Sequence, residues 1–537
     1  MSLSMKAGAA QRQLIVAAVA GSFAFCGFAG AGMSIAATPS FNVPKAVCGP
    51  NDHPESGLQG QVPAPLRSGF QGFNCNLELI SQVRGDGANW QSAEFRETRL
   101  NGNLLYGPKT GRICAYHGTA VPNANRTHTG VPVIDVTDAQ HPVTTSYLTT
   151  TSMLDPWESL KVNERRQLLA ADNGHNGGFS GGPEIDIYDL SNDCRYPQLL
   201  SSIGVGKADG STGTPAKVVG HEGSWSPDGL TYYGGDIVNS QYYAVDTSNP
   251  RAPKLITNWH TGIAGVHGLS ISDDGNRGYF VSLSGGVGPA GLNDPSVQAT
   301  NGLLIYDLSE IQARMPNPQP KLVGKVMWRD GSFAQHTIPV TIRGRQYVIA
   351  VDEGGAGGIF GPPSGLQAAC DAGLSPFPMA RIVDVNDETN PAVVSKLTLE
   401  VHNPANCAQV LPDLVGLSTF WYGSHYCSVD NRRNATTLAC GYFNSGIRVF
   451  DIRDPLRPRE IAYYNPAGTT TASKGSNHVR PGGWIPGNPD WCSAQVHLDH
   501  QTGTLWTTCQ DNGLLMLKFT NGVWPFPGSA TPPGKQN

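Results

Sequence analysis

Four histidines recur in register along the chain. His221 in Gly220-His221-Glu222-Gly223, His267 in Val266-His267-Gly268 and His336 in Gln335-His336-Thr337 each stand eight residues before a turn glycine, Gly229, Gly275 and Gly344. His425 in Ser424-His425-Tyr426 precedes a matching turn at Asn431 to Asn434, and in an earlier unit the same position falls at Glu158. Imidazoles held apart on rigid elements ligate copper, iron or zinc, with carboxylates beside them as outer partners or general bases. The candidate metal ligands are therefore His221, His267, His336 and His425, and the candidate acid-base residues are Glu158, Glu222, Asp236 and Glu353.

A repeat must position these residues. Val133-Ile134-Asp135, Ile187-Tyr188-Asp189, Ala244-Val245-Asp246, Ile305-Tyr306-Asp307, Ile382-Val383-Asp384 and Val449-Phe450-Asp451 share an apolar run, an aspartate and a proline-bearing turn. The aspartates are 54, 57, 61, 77 and 67 residues apart, and Leu515-Met516-Leu517 ends a seventh, degenerate copy. Upstream of each lies a hairpin signal such as Pro227-Asp228-Gly229 or Asp273-Asp274-Gly275. Each unit reads as four strands, A to D from the channel outward, with the aspartate closing strand C. The fold class is all-β: a seven-bladed β-propeller of four-stranded antiparallel blades over 75–520. The seventh unit runs out before its outer strand, so the segment Asn76 to Gln82 is expected to supply it and close the ring. In a propeller strand A begins where strand B ends, so the B-strand ends, Asp172 with His175, Asp236, Asp352 with Glu353, and Gln510 with Asp511, join the histidines at one channel mouth.

Composition agrees. Gly 65 and Pro 40 together make about a fifth of 537 residues, against 15% charged residues, which excludes a helical bundle. A formal net charge of −5 without a basic cluster excludes nucleic acid as a partner.

The first 36 residues carry Lys6 and Arg12, an apolar stretch from Leu14 to Ala31 and small residues near Ala36, the pattern of a secretory signal peptide. After its removal no segment is long and apolar enough to span a membrane, and a periplasmic or secreted protein is expected. Residues 37–74 form an N-terminal extension and 521–537 a Pro-rich tail. Ten cysteines remain, an even number that reads as disulfides. Cys427 with Cys440 and Cys492 with Cys509 fit single hairpins; Cys48–Cys75 and Cys370–Cys407 would close loops.

Pro132-Val133-Ile134-Asp135-Val136-Thr137-Asp138 and Arg448-Val449-Phe450-Asp451-Ile452-Arg453-Asp454-Pro455 resemble the repeat of LVIVD-repeat proteins. That resemblance implies an exported propeller and no particular activity. A weaker analogy, from fold and residue type alone, links the histidines to His-lined metal propellers such as the methanethiol oxidase/selenium-binding family and nitrous-oxide reductase. Gly220-His221 is also similar to the Gly-His pair of WD40 propellers, where the histidine fastens a turn, so a structural role is the alternative. Three functions stay open: an expected monomer binding a small molecule, glycan, metal or protein on the loop-rich top face; a metal-dependent, copper-like oxidoreductase; and a metal-free lyase or hydrolase at the same mouth.

Overall fold

The computed structural model describes residues 41–67, 69–88, 90–97, 111–118, 127–174, 183–205, 218, 220–359, 363–417, 420–468 and 488–527. The expected signal segment, His175 and most of the loops at 204–219 and 465–492 lie outside the described residues.

Alternating apolar runs cut by Asp-Gly and Asx turns give seven antiparallel sheets, the blades of a β-propeller. The first three are built on 92–148, 161–203 and 222–259, and the next two on 269–327 and 332–397. The sixth uses 427–465 and the seventh 497–519. The seventh has three strands of its own, and Leu77–Val83 pairs antiparallel with Gly513–Phe519 as its fourth. The chain thus completes its last blade with an N-terminal strand, which covers the edge that Gly513–Phe519 would otherwise expose. Phe73–Cys75 adds a fifth strand to blade six, against Arg459–Asn465.

The repeat aspartates are turn residues. Asp135, Asp189, Asp246, Asp307, Asp384 and Asp451 each accept the backbone N–H two residues on, at 2.8–3.0 Å. In every blade a register shift interrupts the pairing of the C and D strands, the local bulge that increases twist at a blade rim.

The apolar core sits between blades: Phe95, Tyr116 and Val133 of blade one, for example, pack with Leu169 and Tyr188 of blade two. Burial between neighbouring sheets keeps each innermost strand at a fixed radius. Five disulfides reinforce this, Cys48–Cys75, Cys370–Cys407, Cys427–Cys440 and Cys492–Cys509 as expected, and Cys114–Cys194 between blades one and two. No described helix is long and apolar enough to cross a membrane.

A candidate metal centre at the channel mouth

Strand A of each blade begins at the channel, and backbone hydrogen bonds link these starts from blade to blade. Glu158 N–H donates to the His221 carbonyl (3.0 Å), Gly268 N–H to that of Gln335 (2.9 Å) and Tyr426 N–H to that of Ser493 (3.1 Å). Side chains on such a ring are held by main chain rather than by loops. Gly268 permits the close approach: a Cβ there would lie 2.1 Å from the Gln335 carbonyl oxygen and 2.0 Å from Glu222 Oε2.

Three of the four histidines converge on Glu158. His267 Nε2 is 2.7 Å from His221 Nε2. Glu158 Oε2 lies 3.3 Å from His267 Nε2 and 3.6 Å from His221 Nε2. The other carboxylate oxygen, Oε1, is 3.3 Å from His425 Nε2, and that nitrogen is 2.7 Å from Glu353 Oε1. His267 Nδ1 faces the Gln335 carbonyl at 3.1 Å and His425 Nδ1 faces the Ser493 carbonyl at 2.9 Å. A carbonyl only accepts, so both Nδ1 atoms carry hydrogen and both Nε2 atoms point toward the centre, the orientation of a metal-ligating histidine.

Burial opposes ionisation of Glu158, yet His267, His425 and His221 together hold its carboxyl below the ordinary range. Burial, reinforced by the charge of His267, pushes His221 down to about 3. Burial also works against a charge on His425, but its hydrogen bonds to Glu158 and Glu353 outweigh it and raise the ring to about 10. Glu222 sits beside the cluster with Oε1 3.7 Å from Lys161 Nζ; burial, opposed by the lysine and aided by Glu158, pushes its carboxyl up to about 8.

His336 does not join them. Strand A of blade five carries a bulge: Ala334 pairs with Asp352 and His336 with Val351, leaving Gln335 as the extra residue. A one-residue slip reverses which face each side chain takes. Gln335 therefore occupies the channel position, its amide donating to Glu158 Oε2 at 3.0 Å. His336 instead stacks on Tyr426 with ring centroids 4.6 Å apart and accepts the Cys427 N–H at 3.3 Å. Burial and the Lys161 charge push it well below the usual histidine range.

Asp236 is also spent locally, accepting from Asn239 N–H at 2.9 Å and Gln241 Nε2 at 2.9 Å in a hairpin turn. Asp352 pairs with Arg381 and accepts from Asn301 Nδ2 at 2.9 Å, so it fastens blade five.

An aromatic wall, not anticipated from sequence, borders the cluster. Trp90, Trp157, Phe420, Phe443 and Trp491 pack together, with Trp90 5.2 Å from the His425 ring and Trp157 5.6 Å from His221. Trp157, Phe420 and Phe443 adopt φ of 47, 66 and 44°, a left-handed conformation costing bulky residues about 1–3 kcal/mol each. The His221 side chain is 12% exposed, so the cluster meets solvent beside Trp157. Gln91, at the corresponding start of blade one, is fully buried with neither amide atom hydrogen-bonded.

Among the described residues a further cluster of donor residues, Cys48, Asp52 and Cys75, offers no thiolate because its cysteines form a disulfide.

No protein-family model matches the sequence, and no curated protein matches it. Among solved structures, the chain is similar to a candidate 6-phosphogluconolactonase from Bacteroides fragilis NCTC 9343, at 12% identity and a TM-score of 0.44 over 75% of this chain and 93% of that one. A second candidate 6-phosphogluconolactonase, from Bacteroides uniformis ATCC 8492, is also 12% identical with a TM-score of 0.44, over 75% of this chain and 94% of that one.

Proposed function

We propose that this chain is an exported metalloenzyme whose transition-metal ion is held by His221, His267 and Glu158. The observation that carries the reading is the convergence of three donor atoms. His221 Nε2, His267 Nε2 and Glu158 Oε2 form a triangle with a circumradius of about 1.9 Å, so a point about 2.0–2.1 Å from all three exists just off its plane. Imidazole and carboxylate donors without thiolate suit zinc, iron or copper. Three protein donors leave a coordination position for a small molecule, which would enter past Trp157 with an apolar body against the aromatic wall. An ion there would supply Lewis acidity to a bound oxygen. The chain's own residues would manage protons, with Glu222 as a neutral acid. Export to the periplasm or beyond rests on the signal-peptide pattern of residues 1–36 and is supported by the five disulfides.

The test is elemental analysis of the mature protein beside His267→Ala. Stoichiometric zinc, iron or copper in the parent and its loss in the variant are expected. A metal-free parent, whose variant only melts earlier, would make the histidines blade fasteners.

A further inference from the structure

We propose that the centre is dinuclear, with Glu158 bridging one ion held by His221 and His267 and a second held by His425 and Glu353. This rests on the metal reading above and extends it. Two triads of donor atoms, Glu158–His221–His267 and Glu158–Glu353–His425, each lie within 4.8 Å of one another. They share only Glu158, and they use different oxygens of it: Oε2 faces His221 and His267, Oε1 faces His425. That division is what a carboxylate bridging two cations requires.

The second triad is built as firmly as the first. His425 is fixed by its Nδ1 hydrogen bond to the Ser493 carbonyl, which turns Nε2 onto both carboxylates. His425 is fully buried and Glu353 is 7% exposed. Among the described residues, no lysine or arginine lies within ion-pair distance of Glu158 or Glu353, whose basic partners at that distance are the imidazoles. Carboxylate-bridged ion pairs of this kind sit about 3.5–4 Å apart and present two adjacent open positions.

Equilibrium dialysis of the disulfide-intact mature chain against zinc alone reads the stoichiometry. Two zinc ions per chain are expected for the parent, and one for Glu353→Gln and for His425→Gln, with near-ultraviolet circular dichroism confirming that each variant is folded. One zinc in the parent, retained by both variants and lost in His267→Gln, would overturn the dinuclear proposal and leave the single-ion reading standing. Two zinc ions retained in both variants would also overturn it, and none in the parent would overturn both readings. Copper loading adds a check on the bridge: spin coupling should depress the parent's paramagnetic signal per copper, whereas full intensity from two coppers would refute a shared carboxylate.

Discussion

Replacing Gln335 by alanine tests whether the bulge in blade five, rather than the histidine beside it, serves the centre. The Gln335 amide donates to Glu158 Oε2 at 3.0 Å and holds that oxygen toward His221 and His267. Removing a hydrogen bond that orients a metal-ligating carboxylate costs about 10–100-fold in metal affinity. That corresponds to about 1.4–2.7 kcal/mol, overlapping the range of about 1.5–3 kcal/mol for a hydrogen bond to a charged group. The backbone contributions of Gln335, which accept from Gly268 N–H and His267 Nδ1, survive the substitution, so the variant should fold. Competition against a chromophoric chelator should show zinc dissociation constants raised by that factor in Gln335→Ala. His336→Phe, which keeps the stack on Tyr426, should leave affinity within twofold of the parent. Unchanged affinity in Gln335→Ala together with lost metal in His336→Phe would refute the assignment of the channel position.

Three further outcomes are expected. His402 is fully buried, with Nδ1 accepting from Leu399 N–H at 3.0 Å and Nε2 donating to the Pro378 carbonyl at 2.8 Å; burial, against those two hydrogen bonds, pushes it down to about 4. Its stabilising contribution is therefore complete above pH about 6.5 and lost as pH falls toward 4, by about 3 kcal/mol, which urea unfolding of the parent and His402→Gln across that window should show as a shrinking difference. Gly268→Ala forces a Cβ to 2.1 Å from a backbone carbonyl, so a loss of about 3 kcal/mol in urea unfolding is expected; a loss under 0.5 kcal/mol would mean the blade junction yields. Replacing Cys114 and Cys194 with serine frees a loop of 80 residues, and chain entropy sets the expected loss at about 4–5 kcal/mol, measured as a drop in the urea midpoint.

Much of this architecture was legible because its physics is local. The aspartates that end the C strands announce their turns through side-chain-to-backbone bonding, and that spacing gives seven blades. Ring closure followed from a missing outer strand and a spare amphipathic segment, and four disulfides from cysteines placed on one hairpin or loop. At the centre, counting back from a turn glycine located His221 and His267 because their strands pair without interruption. The same count placed His336 beside them. A bulge consumes one residue without changing the sequence pattern around it, and nothing in Ser332 to Thr337 marks Gln335 as the extra residue. Asp236 was drawn in by the same topology and is occupied by its own turn. The aromatic wall left no signal because Trp90, Trp157, Phe420, Phe443 and Trp491 share no repeat position, although Trp157 adjoins Glu158. His402 belongs to no repeat position, so only its burial reveals it.

The most direct test of the metal centre is anomalous diffraction from a crystal of the mature protein, with data on both sides of the zinc, iron and copper absorption edges. A peak within coordination distance of His221 Nε2, His267 Nε2 and Glu158 Oε2 is the expected result. Well-ordered rings bonded to one another and to Glu158, with no anomalous density between them in metal-supplemented crystals, would contradict it.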